Sequence, residues 1–176
     1  MPNKNAFVVW FTGLSGTGKT TLAKLLIPHF SKDFPEVEHI DGDELRDLFP
    51  EIGFYREDRE LHVKRVAHTA ALLEKHNVVT ITSLISPYES SRKFAHSICK
   101  NFFEIYLSTS LEVCEKRDPK GLYLKARSGL IKNFTGIGDV YEAPKNPFLN
   151  INTELGSPEE MALTIYRKIS LQLGKT

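Results

Sequence analysis

Four fixed positions in an eight-residue stretch supply the first chemical suggestion in this sequence: Gly13-Leu14-Ser15-Gly16-Thr17-Gly18-Lys19-Thr20 follows the apolar run Phe7-Val8-Val9-Trp10-Phe11 and precedes the helical pattern Leu22-Ala23-Lys24-Leu25-Leu26. Glycines in such a stretch let the backbone turn its N–H groups inward around phosphate oxygens. Lys19 can reach the β and γ oxygens, and the Thr20 hydroxyl can ligate Mg²⁺. A helix opening there adds the positive end of its dipole. Strand before and helix after are the context that a phosphate-binding P-loop requires.

A P-loop chain also needs a carboxylate for the metal and a base. The β-branched run Val78-Val79-Thr80-Ile81-Thr82 ends without the aspartate that a Walker B strand would supply, so the acidic pair must lie elsewhere. Asp41-Gly42-Asp43, at the carboxyl end of the strand Val37-Glu38-His39-Ile40, is the well-placed candidate, since ligands of open α/β sheets sit beyond that end. One of the two carboxylates can hold the metal, directly or through water, and the other can take the proton of an acceptor hydroxyl, as in small-molecule kinases. The competing structural role makes Asp43 a helix N-cap and Asp41 a turn residue. A signalling GTPase would carry a guanine-reading Asn-Lys-x-Asp after the P-loop, and the only Asn-Lys here, Asn3-Lys4, precedes it. Arg46, Arg59 and Arg65 can clamp an anionic acceptor or stand solvated on helix surfaces. Phe54 and Phe134, in polar glycine-bearing loops, can stack a base or anchor those loops.

The elements that must position these groups alternate strand and helix. Strands are expected at 6–12, 37–40, 78–82, 102–107 and 149–152. Helices are expected at 19–31, 43–49, 58–75 and 111–117, with a last one capped by Ser157-Pro158-Glu159-Glu160 whose Met161, Ile165, Ile169 and Leu173 face the core. Residues 50–57 read as a loop, and Ser86-Pro87-Tyr88-Glu89 reads as a capping box with Ser86 as N-cap. The order predicts an α/β single domain: a P-loop kinase with a parallel five-stranded sheet, helices on both faces and a basic lid at about 118–146, where Lys120, Lys125, Arg127 and Lys132 alternate with glycines. With 176 residues, 41% hydrophobic and 26% charged, the chain can bury a substantial core. A net charge of +1 gives no argument for nucleic acid or an anionic membrane as partner. Met1–Asn5 carries no signal-type apolar segment and no run approaches a membrane span, so the cytoplasm is expected. Cys99 and Cys114, without C-x-x-C spacing, are expected as reduced structural thiols in helices.

Beyond the P-loop and Asp41-Gly42-Asp43 with Arg46, the chain resembles the adenylyl-sulfate (APS) kinases in Gly53-Phe54, Asp58-Arg59, Ile85-Ser86-Pro87-Tyr88, Arg117-Asp118-Pro119-Lys120-Gly121-Leu122-Tyr123, Lys125-Ala126-Arg127 and Phe134-Thr135-Gly136-Ile137. The resemblance spans residues 7 to about 150. It implies transfer of the γ-phosphate of ATP, with Mg²⁺, to the ribose 3′-hydroxyl of a nucleotide acceptor, in the first place APS in sulfate assimilation. For ATP it implies Gly13, Ser15, Gly16, Thr17, Gly18, Lys19, Thr20, Thr21, Arg117 and Arg127. For the acceptor it implies Asp43, Arg46, Phe54, Arg59, His62, Ile85, Ser86, Lys120, Leu124, Phe134 and Ile137, with Phe54 and Phe134 sandwiching the base and Arg46 and Arg59 on its phosphate. Catalysis falls to Lys19, Asp41 and Asp43, and metal binding to Thr20 and Asp41. Ser86 corresponds to a phosphoserine position in bacterial relatives, a role weighted below its cap. A homodimer is compatible with the resemblance.

The departures cluster on the acceptor side: His62 stands where the family has Asn, Leu84 where it has Phe, Glu89 where it has Arg and Leu124 where it has Lys. A kinase group acting on cytidine diphosphoramidate in capsule modification is therefore the alternative, and a non-catalytic nucleotide-binding regulatory domain the third reading, against which the intact Lys19, Thr20, Asp41 and Asp43 speak.

Overall fold

The structure is a computed structural model that describes residues 6–49 and 53–174. The expectations for Met1–Asn5 and for loop residues 50–52 lie outside the described residues.

Strands β1 (Val8–Thr12), β2 (Val37–Asp41), β3 (Val79–Ser83), β4 (Phe102–Leu107) and β5 (Leu149–Ile151) form one parallel sheet in the order β2-β3-β1-β4-β5. Helices are α1 (Lys19–Phe30), α2 (Gly42–Asp47), α3 (Arg56–Lys75), α4 (Glu89–Ile98), α5 (Leu111–Arg117), α6 (Leu122–Arg127) and α7 (Pro158–Gln172). The two-residue period of β1 divides the core. Phe7, Val9 and Phe11 pack with Leu22, Leu26 and Phe30 of α1 and with Ile165 and Ile169 of α7, while Val8 and Trp10 pack on the other face with Val63, Val66 and Ala70 of α3 and Ala95 of α4. A strand buried on both faces is a continuous apolar run, which is why β1 reads as one. The sheet then presents the carboxyl ends of β1, β2 and β3 side by side.

Three sequence expectations need correction. Ser86 is not a helix N-cap: α4 begins at Glu89 with Tyr88 as its N-cap, and Ser86 itself adopts φ 40°. The cause is long-range. The buried indole N–H of Trp10 needs an acceptor and takes the Ser86 hydroxyl at 3.2 Å, while the Arg92 guanidinium donates to the Ser86 carbonyl at 2.7 Å. The Glu89 amide is satisfied by the Glu142 carboxylate at 2.7 Å instead, and the Glu89 side chain pairs with Lys93 at 2.9 Å, so no capping box forms there. Helix α3 starts at Arg56, within the expected loop, and the Asp58 carboxylate accepts from the Tyr55 amide at 3.2 Å. The basic segment holds a helix, α6, and a small apolar cluster of Cys114, Tyr123, Ala126 and Phe134. By contrast, the Ser157 box forms as read, with Ser157 and Glu160 exchanging amide-to-side-chain hydrogen bonds at 3.1 and 3.3 Å. Both thiols are free and buried, Cys114 inside α5 and Cys99 at the C-cap of α4.

Residues 133–142 are strapped to the body. Arg59 donates to the Asn133 carbonyl at 2.7 Å and the Thr135 hydroxyl at 2.9 Å, the Tyr88 hydroxyl meets the Asp139 carboxylate, Tyr141 Oη and Thr12 Oγ1 lie 2.9 Å apart, and the Glu142 amide donates to the Pro87 carbonyl at 2.8 Å.

Candidate active site

A cavity of about 650 Å³ opens over the carboxyl ends of β1, β2 and β3. The turn from Ser15 to Gly18 and the first residues of α1 as far as Leu22 form its floor; Asp41, Asp43, Phe54, Arg59, Ser83–Ile85, Arg117, Pro119, Lys120, Leu122 and Phe134 also line it. The floor is set by backbone approach. Gly13 holds φ 147° with an ideal Cβ only 2.7 Å from the Leu107 carbonyl, so a side chain there would push the loop off β4.

Lys19 folds back over this loop. Its ammonium donates to the Gly13 carbonyl at 2.9 Å, the Leu14 carbonyl at 2.6 Å and the Thr17 hydroxyl at 3.3 Å, all neutral oxygens. Burial pushes its pKa down to about 8, against the opposing pull of the Asp43 carboxylate. Such an ammonium gains when an anionic oxygen arrives.

The acidic turn is built by the close approach of α2 to β3: a Cβ on Gly42 would stand 2.6 Å from Leu84 Cβ, so only glycine fits between the two aspartates. Asp41 is the N-cap of α2, accepting from the Asp43 amide at 2.9 Å. Its other oxygen accepts from the Thr20 hydroxyl at 2.7 Å and the Ser83 hydroxyl at 3.1 Å. Burial raises the Asp41 pKa, but these hydrogen bonds outweigh it and hold the carboxyl below its ordinary value of 3.8. An ionised carboxylate beside a hydroxyl is a hard-oxygen pair that fits Mg²⁺. Among the described residues no cluster of three or more His, Cys, Asp or Glu forms a metal cage. Asp43 projects to the rim and pairs with Lys120, whose pKa the hydrogen bond to Asp43 raises.

Of the two loop aromatics, Phe54 is 54% exposed and Phe134 only 8% exposed, and both line the cavity. The Arg46 guanidinium lies 4.9 Å from the Phe54 ring centroid and donates to the Gly53 carbonyl at 2.8 Å, so it stands behind the ring. Arg59 lies 5.7 Å from the same centroid and donates to the Phe54 carbonyl at 3.0 Å. His62 is buried, and its pKa is pushed down to about 4 by burial and then by Arg46, so it is a neutral imidazole.

Several expected site residues stand off the cavity wall. Ser86 turns its hydroxyl to Trp10, and Ile137 packs into the cluster beside Tyr123 and Phe134. Arg127 pairs with Glu115, and Leu124 is 73% exposed. Arg65, a further candidate clamp, lies 4.2 Å from the Phe49 ring centroid. Three of the four family departures, His62, Glu89 and Leu124, thus lie outside the wall, as does Arg46, while Leu84 is on it. The sequence reading missed Thr153, Gly156, Pro158 and Met161, which line the end near Thr21 and Arg117. Arg117 donates to the Thr153 hydroxyl at 2.9 Å and carbonyl at 3.0 Å. The only available signal was that the loop between the last strand and helix reaches the same sheet end.

A family model described as adenylylsulphate kinase matches residues 5–152. The chain belongs to the adenylylsulfate kinase family. An adenylyl-sulfate kinase of Halothermothrix orenii is 45% identical to this family member over 163 residues, 92% of this chain and 88% of that one. A probable adenylyl-sulfate kinase of Pyrococcus abyssi is 44% identical over 163 residues, covering 92% and 94%. Among solved structures, an APS kinase of Mycobacterium tuberculosis in complex with AMPPNP and APS is similar, with a TM-score of 0.89 at 38% identity over 94% of this chain and 98% of that one.

Proposed function

We propose that this adenylylsulfate kinase-family chain transfers the γ-phosphoryl group of ATP to the 3′-hydroxyl of adenylyl sulfate, giving 3′-phosphoadenylyl sulfate and ADP. The observation that carries it is the meeting, on one cavity, of the Lys19–Thr20 floor, the Asp41–Asp43 turn and the Phe54–Phe134 pair in a member of this family.

The bond from the acceptor O3′ to Pγ forms as the bond from Pγ to the β,γ-bridging oxygen breaks, and the hydroxyl proton passes to the Asp43 carboxylate. Lys19 leaves its carbonyl partners for the phosphate oxygens and stabilises the charge that grows on the leaving ADP. Thr20 and Asp41 would hold Mg²⁺, which would supply charge neutralisation for the transferring phosphoryl group. Arg59 anchors the acceptor phosphate with Arg46 behind it, Phe54 and Phe134 take its base, and Ile85 shapes the wall between. Arg117, with Thr153 and Met161, takes the ATP base. Lys120 guards Asp43 until the acceptor arrives. Closure of the stretch from Asp118 to Lys132 excludes water, while residues 133–142, strapped to the body, act as its fixed end.

Among the described residues no helix is long and apolar enough to cross a membrane. A cytoplasmic location and a homodimer complete the proposal, and light scattering on the purified protein tests the dimer. The functional test is ADP release with adenylyl sulfate as acceptor, with the product identified by mass and by the position of its new phosphate.

A further inference from the structure

The hydrogen bonds that orient Asp41 continue past it into the sheet. The parallel register of β2 and β3 sets Asp41 opposite Ser83 and His39 opposite Ile81, so His39 and Asp41 leave the same face of β2 with Ser83 beside them on the next strand. His39 Nε2 lies 2.8 Å from Ser83 Oγ, and Ser83 Oγ donates to Asp41 Oδ2 at 3.1 Å, the oxygen that also accepts from Thr20 at 2.7 Å. A hydroxyl has one hydrogen. Because Ser83 gives its hydrogen to the carboxylate, it accepts from His39, whose proton therefore sits on Nε2. Asp41 Oδ1 is held separately by the Asp43 amide at 2.9 Å. Both carboxylate oxygens are thus fixed, one of them through a chain that begins at His39. Ser83 lines the cavity and His39 does not, so His39 stands behind the wall.

We propose that His39 and Ser83 are positioning residues for the metal-nucleotide end of the site: His39, acting through the Ser83 hydroxyl, sets the direction in which Asp41 presents its carboxylate beside Thr20. This rests on the assignment of Thr20 and Asp41 to Mg²⁺. Removing the imidazole leaves Ser83 without its donor, lets the hydroxyl turn away, and takes from Asp41 Oδ2 one of the two hydroxyl donors that orient it. Partners one step behind a metal ligand carry much of the affinity in such sites.

The test is equilibrium binding of ADP with and without Mg²⁺ by calorimetry on the wild type and on His39→Phe, His39→Gln, Ser83→Ala and the His39→Phe/Ser83→Ala double variant, with thermal melts to establish folding. His39→Phe should weaken binding of Mg²⁺–ADP about 10-fold or more while leaving metal-free ADP binding unchanged. His39→Gln, whose amide can donate from nearly the place of Nε2, should restore most of the loss. Ser83→Ala should match His39→Phe, and the double variant should be no worse than Ser83→Ala, because the two act in series. The proposal is overturned if folded His39→Phe binds Mg²⁺–ADP like wild type, if it loses both forms of ADP equally, or if the double variant shows the sum of the single losses. Wild type that binds ADP equally with and without Mg²⁺ would overturn the Thr20–Asp41 assignment together with the proposal that rests on it.

Discussion

The indole N–H of Trp10 donates to the hydroxyl of Ser86 at 3.2 Å, joining the central strand to the turn before α4 across 76 positions of sequence. Both side chains are buried. Ser86→Ala therefore strands a buried donor and should destabilise the protein by about 1–3 kcal/mol. Turnover should survive, because the hydroxyl faces the core and not the cavity. Denaturant melts and steady-state kinetics measure the two effects separately. Purified wild type incubated with labelled ATP and no acceptor should carry no stoichiometric label on Ser86; label discharged by acceptor at a catalytic rate would contradict this.

Lys19→Ala removes the one ammonium that the floor of the cavity holds ready for phosphate. Loss of charge stabilisation at that position should lower kcat by about 10²-fold or more. The melting temperature should be retained, since the buried ammonium gains only neutral partners from the fold. Near-normal kcat in a folded variant would refute the P-loop assignment.

Lys19 also links nucleotide binding to protons. Its pKa, lowered from 10.5 to about 8 in the protein, means that near pH 8 the free site is partly deprotonated. Phosphate oxygens at the ammonium favour the charged form, so binding must take up protons there, and ADP affinity must fall as pH rises through that value. Calorimetry in two buffers of different ionisation enthalpy gives the proton count. Zero uptake, or release, would count against it.

His62 predicts the acid limb of stability. It is held neutral down to about 4 in the fold and titrates near its ordinary value of 6.5 when unfolded. Between those values the unfolded chain binds more protons, so stability is full above 6.5 and falls as pH drops toward 4. His62→Asn, carrying the residue usual in the family, should show a shallower acid limb in urea midpoints than wild type. Identical limbs would exclude His62 as their source.

Much of this site was legible in local sequence, because its parts are made by local physics. The P-loop glycines, the Asp41-Gly42-Asp43 turn and the Ser157 capping box each depend on residues within a few positions of one another. What failed was decided over long distance. Ser86-Pro87-Tyr88-Glu89 has the letters of a capping box, but Trp10, Arg92 and Glu142 claim its hydroxyl, its carbonyl and the Glu89 amide. The strapping of residues 133–142 by Arg59 and Tyr88 had no local signal, so the whole of 118–146 read as one loose segment. Thr153 and Met161 were missed because nothing nearby says that the last strand ends beside the P-loop. That follows only from the β4–β5 pairing.

The most direct measurement is a coupled ADP-release assay on the purified chain with Mg²⁺–ATP across a panel of nucleotide acceptors, including adenylyl sulfate and cytidine diphosphoramidate, with each product characterised by mass and phosphorus spectroscopy. The account predicts the highest kcat/KM for adenylyl sulfate, a product carrying one new phosphate on the 3′-oxygen, and loss of the signal in Lys19→Ala. A higher kcat/KM for the cytidine compound, or no acceptor-dependent ADP release from folded wild type, would contradict it.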